Sequence, residues 1–446
     1  MNLLIAMRDL LLRPAVAAAL AISIVTIDSR TAGDEIASRS SRPAGKLDLL
    51  AQVRAGAVRT PEQLLSELRI AGPGAVPAFI DSVIINKSQS DQIPIDPKNK
   101  KLIITILEKL PKCALDTIRA SDANVDDYQS IALIAFAVLE SIGASTEHLV
   151  SSVQILGWQE AKIPKDASVI MAFEGAASAI LRKNRLHYSY IRECLEKASP
   201  AVQLGLIGAL GQTGSREGTQ LLCDRLGRAA EFDRFILQQI GKRTGPLPVM
   251  AEDRNFDMIR RYLDSNDPLV AREAALAAGR LEAAGCTEAL IKLLDSENMS
   301  IRENAYWAVL QITGLRFRLD KRKWTRWFED EQLWWHTRGE AFITKLSAAD
   351  RTEKAAIINE LAGHRLFRKE LTNALVQHLE LETDPETLRL VFAAINTLAA
   401  PAAVPALIAK IDSEDPTMRS SVLASLAVIT GENLGEERAA WELRFQ

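Results

Sequence analysis

Beyond residue 60 the apolar residues of this chain fall at helical spacing, in stretches separated by polar punctuation. After Arg302 they are Ala305, Tyr306, Val309 and Ile312; after Arg419 they are Val422, Leu423, Leu426 and Ile429. Offsets of 3, 4, 7 and 10 lie on one helical face, so each stretch predicts an amphipathic helix. The starts are marked by an oxygen-bearing residue before proline, at Thr60-Pro61, Asp96-Pro97, Ser199-Pro200, Asp267-Pro268, Asp384-Pro385 and Asp415-Pro416. Such a residue accepts a hydrogen bond from the exposed first-turn amides, and proline at the first helical position gives up no needed donor. Thr60 adds Gln63 at the capping-box offset. Two of the helices close on Ile-Thr-Gly, with Gly314 and Gly431 as C-caps.

The pattern is periodic. Arg272 and Arg302 are 30 residues apart, as are Arg389 and Arg419, each early in a helix rich in Ala and Leu. An Asp-Ser pair precedes three of them, at Asp264-Ser265, Asp295-Ser296 and Asp412-Ser413. The partner helix repeats too, PGAVPAFIDSVI at Pro73–Ile84 against PAAVPALIAKID at Pro401–Asp412. The order D-P-x-x-x-R-x-x-A, then Gly, then A-x-P-A-L-I resembles the bacterial HEAT-like repeat, also called PBS-lyase HEAT-like. The resemblance holds over residues 255–314 and 384–431 and more loosely over 186–245; over 96–185 no Arg takes the signature position. It implies an all-α fold, an α-solenoid of antiparallel helix pairs stacked into a right-handed superhelix. The physics of repeats points the same way, because one pair buries its apolar face only against its neighbours. The expected organisation is a first stack over 60–338 and a second over 339–446.

Composition adds limits. The 446 residues are 48% hydrophobic, 25% charged and 5% aromatic, the balance of a folded chain. A net charge of -3 gives no global field for nucleic acid or an anionic membrane. Pro14 to Ile27 is an uncharged run of 14 residues behind Arg8 and Arg13. It is shorter than the roughly 20 apolar residues of a spanning helix and fits a signal-peptide core of about 7–15. Asp9 and the missing small-x-small site leave an uncleaved anchor or a first helix of the fold as the other reading. Residues 1–27 are thus expected to export or anchor the chain and 28–59 to form a flexible tether. This places the protein in the periplasm or outside the cell, with the cytoplasm as the alternative. Membrane contact would come only through the amino-terminal segment, if retained. Cys113, Cys194, Cys223 and Cys286 have no metal-binding spacing. Cys194 and Cys223 would sit on stacked helices about 8–10 Å apart, too far for a disulfide, so free core thiols are expected.

Two clusters could carry chemistry. The first is the arginine ladder. Because Asp recurs with Arg, the expectation is structural: Arg272, Arg302 and Arg419 pair with Asp264, Asp295 and Asp412, with Arg389 in the same register. The second is the Trp-rich segment after Gly314. Trp324 follows Gly314 by ten residues and Trp441 follows Gly431 by ten; Phe328 and Phe445 come four later. The repeated offsets predict that Trp324, Trp327 and Trp441 cap the open ends of two repeat blocks. Trp334 and Trp335 have no counterpart in the second copy. With Arg316, Arg318, Lys323 and Arg326 they form the candidate partner surface, where cations alternate with aromatics.

No catalytic pattern accompanies these. The five histidines show no H-E-x-x-H spacing, and neither a G-x-S-x-G elbow nor a Walker loop is present. Gly205, Gly208, Gly211 and Gly214, at spacing three, predict close helix packing rather than a phosphate loop. The expected function is a non-catalytic scaffold for a protein or peptide partner, with no catalytic, metal or cofactor site. Two alternatives follow from the resemblance alone, a HEAT-like lyase subunit and a HEAT-like nucleic-acid-binding protein; the charge balance argues against the second.

Overall fold

A computed structural model describes residues 49–445, apart from 54, 85–94, 121–124, 159–165 and 244–252. The expected leader and the tether as far as residue 48 lie outside the described residues. The rest of that tether is not a tether: residues 49–53 are helical, and Leu49, Val53 and Val58 are buried in the first core.

After this first helical stretch come α1 (Pro61–Ala71), α2 (Val76–Ile84) and the long α3 (Pro97–Ala120). An alternating series follows: α4 (Val125–Ile142), α5 (Thr146–Leu156), α6 (Ala167–Lys183), α7 (Tyr188–Lys197), α8 (Pro200–Thr213) and α9 (Arg216–Arg225). It continues through α10 (Ala230–Lys242), α11 (Asp253–Leu263), α12 (Pro268–Arg280), α13 (Thr287–Lys292), α14 (Met299–Thr313) and α15 (Lys321–Trp334). The even-numbered helices from α4 to α14 pack side by side in one row, and the odd ones back them in a second. The second stack holds α16 (Glu340–Leu346), α17 (Arg351–Ala362), α18 (Arg368–Leu379), α19 (Pro385–Leu398), α20 (Val404–Ala409), α21 (Pro416–Thr430) and α22 (Arg438–Phe445). Here α17, α19 and α21 form the first row. The fold is an all-α solenoid of paired helices, with no strand among the described residues.

Most of the punctuation works as the pattern requires, but Ser199 starts α8 without a cap hydrogen bond from its hydroxyl. Asp267, Asp384 and Asp415 accept from the amides of Leu269, Thr387 and Thr417, and Gly314 and Gly431 close α14 and α21 in left-handed conformation. Three glycines of the run serve packing: a Cβ on Gly205 would lie 2.6 Å from the Phe173 ring, one on Gly208 2.3 Å from the Glu174 carboxyl and one on Gly211 2.5 Å from Gln239, whereas Gly214 faces open space and closes α8 in left-handed conformation. All four cysteines are free and buried.

The arginine ladder is built differently from the expected one. Arg302 donates to the Ser296 carbonyl at 2.8 Å, and Arg419 to the Ser413 carbonyl at 2.9 Å. Arg272 instead pairs with buried Glu273, and Arg389 with Glu386 on its own helix. Asp295 pairs with Lys321 and Asp412 with Arg438; Asp264 forms no ion pair with Arg272. The reason is local. The Asp-Ser dipeptide ends the preceding helix, where carbonyls lack partners, so the guanidinium satisfies the Ser carbonyl. A related set of cations links the even row: Lys183 donates to Ser141, Arg182 to Gln212 and Arg280 to Gly241, in each case to a backbone carbonyl near a neighbouring helix end.

Two apolar cores result, one from Leu49 to Trp324 and one from Trp334 to Phe445. The division falls inside α15, between Phe328 and Trp334, a few residues before the expected boundary at 338. A turn of π-helix at Trp335–Gly339 follows, a common cause of a change in helix direction. From there the second stack runs back along the first. Arg365 and Arg368 meet Glu282, Pro401 lies in one cleft with Phe256 and Gly285, and Arg444 meets Glu217.

Candidate binding cleft and basic face

The two stacks leave a cleft of about 840 Å³ between them. Its apolar lining comes from both: Phe256, Leu281 and Phe328 on one side, Leu366, Phe367 and Pro401 on the other. Charges of both signs line it too, with Asp257 and Arg260 from α11 and Arg368, Lys369 and Glu370 from α18. Two lining residues adopt left-handed backbone despite carrying a Cβ, Glu282 (φ 45) and Ala399 (φ 47). Both sit just past the end of a first-row helix, and each such conformation costs of order 1 kcal/mol. Glu282 is held there by its partners. Arg368 grips its carboxylate and donates to its carbonyl at 3.0 Å, and Arg365 lies 3.5 Å from the carboxylate. Burial pushes the Arg368 guanidinium down to about 10.

A second contact ties the far end. Arg216 donates to the Phe445 carbonyl at 2.6 Å, while Arg444 bridges Glu432 and, at 3.4 Å, Glu217. The helix that caps the second stack therefore also docks on α9 of the first.

Two of the three tryptophans expected to cap are buried in their cores. Trp324 is fully buried and its indole N–H donates to the Arg318 carbonyl at 3.1 Å. Trp441 is 1% exposed and donates to the Gly435 carbonyl at 2.8 Å, the same six-residue reach. Trp327 is half-buried and meets Trp324 edge-on at 5.7 Å.

The candidate partner surface divides. Arg316, Arg318, Lys323 and Arg326 are exposed. Trp334 and Trp335 do not join them. Trp334 is buried, stacks on His364 at 3.4 Å and donates to Glu360 at 3.0 Å; Trp335 stacks on Phe367 at 4.5 Å. Both tryptophans start the second core, and only the half-buried Phe317 and Trp327 remain beside the cations. His364 also donates from Nδ1 to the Glu331 carboxylate at 3.0 Å. This junction cluster was not foreseen, because its members are about thirty residues apart and no short motif links them.

Other shifted groups serve packing. Burial pushes Glu174 up to about 7 against the pull of Lys242 and a hydrogen bond from Gln212. Burial alone would raise Glu382, but Lys354 and the amides of Asp384 and Thr383 reverse this and hold it at about 2. Neither lines the cleft. Among the described residues, no group of three or more His, Cys, Asp or Glu is placed to hold a metal ion, and no helix is long and apolar enough to cross a membrane.

No protein-family model matches this chain, and no curated protein matches it. Among solved structures it is similar to an engineered protein from a structural-genomics consortium, at 16% identity over 86% of this chain and 98% of that one. The TM-score is 0.33, a likeness that carries no argument about fold or function.

Proposed function

We propose that this chain is a non-catalytic scaffold of the HEAT-like kind, which seats a segment of a protein or peptide partner in the cleft between its two stacks. The observation that carries this reading is the cleft itself, apolar along its lining, charged with both signs, and built by two stacks. Its volume falls in the range of about 300–1,000 Å³ usual for binding pockets. An apolar surface with a polar rim gains from burying partner side chains while keeping charge in water. The carboxylates with the clearest shifts, Glu174 and Glu382, lie away from the cleft, and Arg368, the shifted group that lines it, is held by Glu282, so these groups are taken up by packing contacts, which favours binding over catalysis. The leader-like residues 14–27 support a place outside the cytoplasm for this role.

Selection of displayed peptides on the whole protein, followed by binding to Gly285→Trp, tests it. Gly285 lines the cleft and a Cβ there meets nothing within 4 Å, so the indole fills the cleft without straining the backbone. Selected peptides should bind the variant at least about tenfold more weakly while its melting is unchanged. Peptides that bind both proteins equally would place the partner surface elsewhere.

A further inference from the structure

The chain carries the same cap twice, and only one copy is basic. Aligning Gly314 with Gly431 and Trp324 with Trp441 sets Arg316, Arg318, Arg322, Lys323 and Arg326 where the second copy has Asn433, Gly435, Ala439, Ala440 and Leu443. Both copies nevertheless close the same indole-to-carbonyl bond and bury the same tryptophan. The cap geometry therefore requires none of the five cations.

Three further observations set them apart. Residues 314–320 are non-helical, with Leu315 and Phe317 packed inward and Arg316 and Arg318 exposed. That alternation is the habit of extended backbone, which sets alternate side chains about 7 Å apart. Arg322 and Arg326, also exposed, lie one helical turn apart on α15. Finally, the first turn of α15 holds Lys321, Arg322 and Lys323 with no acidic residue. Positive charge at a helix amino terminus opposes the helix dipole. Of these cations only Lys321 pairs with a carboxylate, Asp295, while Lys323 rests on the Phe317 ring at 4.2 Å.

We infer that the face formed by Arg316, Arg318, Arg322 and Arg326 docks an acidic, extended segment of a partner protein, with carboxylates at alternate positions. Guanidinium groups bind carboxylates through paired hydrogen bonds, and a spacing of about 7 Å matches every second residue of an extended peptide. Nucleic acid fits less well. Trp324 is fully buried and Trp334 8% exposed, Trp327 and Trp335 are half-buried, and Lys323 covers the half-buried Phe317 ring, so little aromatic surface is open for a single strand to stack on. The whole chain is also net negative, at -3, against a polyanion. This site is separate from the cleft and stands or falls independently of it.

The test uses the full chain and a fluorescent peptide with glutamate at alternate positions, read by anisotropy. A mixed-sequence oligodeoxynucleotide and vesicles containing anionic phospholipid are the comparison probes. The variant combines Arg316→Asn, Arg318→Ser, Arg322→Ala and Arg326→Ala, small residues of the kind the second cap tolerates. The peptide should bind the native chain and Gly285→Trp alike, weaken as salt rises from about 50 to 200 mM, and lose at least about tenfold in the fourfold variant. Melting of that variant should be unchanged or slightly higher. Absence of peptide binding to the native chain, equal binding by the fourfold variant, or tighter binding of the oligonucleotide or the vesicles would each overturn the inference.

Discussion

The guanidinium of Arg368 grips Glu282 through its carboxylate and its backbone carbonyl, across 86 residues of chain. With the Arg444–Glu217 contact it holds the second stack against the first. Truncating Arg368 leaves the left-handed Glu282 without its main partner. Arg368→Ala should cost about 2 kcal/mol in denaturant unfolding, and Arg368→Met, which keeps the stem, less. Combined with Arg444→Ala it should swing the stacks apart, seen as a larger radius of gyration in solution scattering. A double variant that scatters like the native chain would show that other contacts hold the closure.

Glu174 sets the sign of one pH effect. Its carboxyl is raised to about 7 in the folded chain and returns to about 4.5 on unfolding. Below 4.5 the group is protonated in both states and costs nothing. As pH rises from 4.5 through 7 the unfolded chain ionises first, so stability falls. Glu174→Gln should therefore raise the melting temperature at pH 8, by the equivalent of about 1–2 kcal/mol, and change little at pH 4. Equal shifts at both pH values would rule out titration as the cause.

Glu382 works in the opposite sense. Held at about 2 in the fold against 4.5 when unfolded, it contributes fully above 4.5, and its contribution is lost as pH falls towards 2. Burial also lowers His378, 3.1 Å from Glu382, so protonation of that imidazole below its ordinary 6.5 adds a loss of the same sign. Glu382→Gln should destabilise at pH 7 by about 1–3 kcal/mol, with most of the gap to the native chain gone by pH 2.5 and the rest lost only below about 2. Unfolding curves at both pH values give the comparison.

Helix propensity and packing disagree about the glycines of α8, and packing should win. Alanine gains about 1 kcal/mol over glycine inside a helix. At Gly205 that gain meets the Phe173 ring 2.6 Å from the new Cβ, and overpacking of this kind costs about 1–3 kcal/mol. Gly205→Ala should lower the melting temperature, whereas Gly285→Ala, facing open space, should leave it level or raise it slightly.

Each cap should guard its own core. Trp441→Ala removes a fully buried indole from the second core and should cost about 3–5 kcal/mol there. Because the first core ends at Trp324, the first stack should keep its own transition in calorimetry, so that one melt separates into two. A single transition shifted as a whole would mean that the stacks unfold as one unit.

Much of this was legible in advance because it is local. Helix starts at Asp267, Asp384 and Asp415, stops at Gly314 and Gly431, and the paired caps at Trp324 and Trp441 depend on residues within one turn or one repeat of each other. Where the reading failed, the competing partner was a backbone group or a distant residue. Arg302 and Arg419 chose serine carbonyls that have no side-chain signature, and Trp334 and Trp335 went inward because His364 and Phe367 arrive from the next helix pair.

The sequence alone determined the helical repeat, most of its helix starts and stops and the matching burial of Trp324 and Trp441, since capping and amphipathic spacing are nearest-neighbour properties of the chain. It also exposed the basic first cap, by setting it beside a second copy without those charges. Only the tertiary structure decided that the second stack returns along the first, that Glu282 and Arg368 clasp, and that a cleft opens between the stacks. A quasi-one-dimensional array specifies contacts between adjacent repeats, but a contact across 86 residues leaves no period to read.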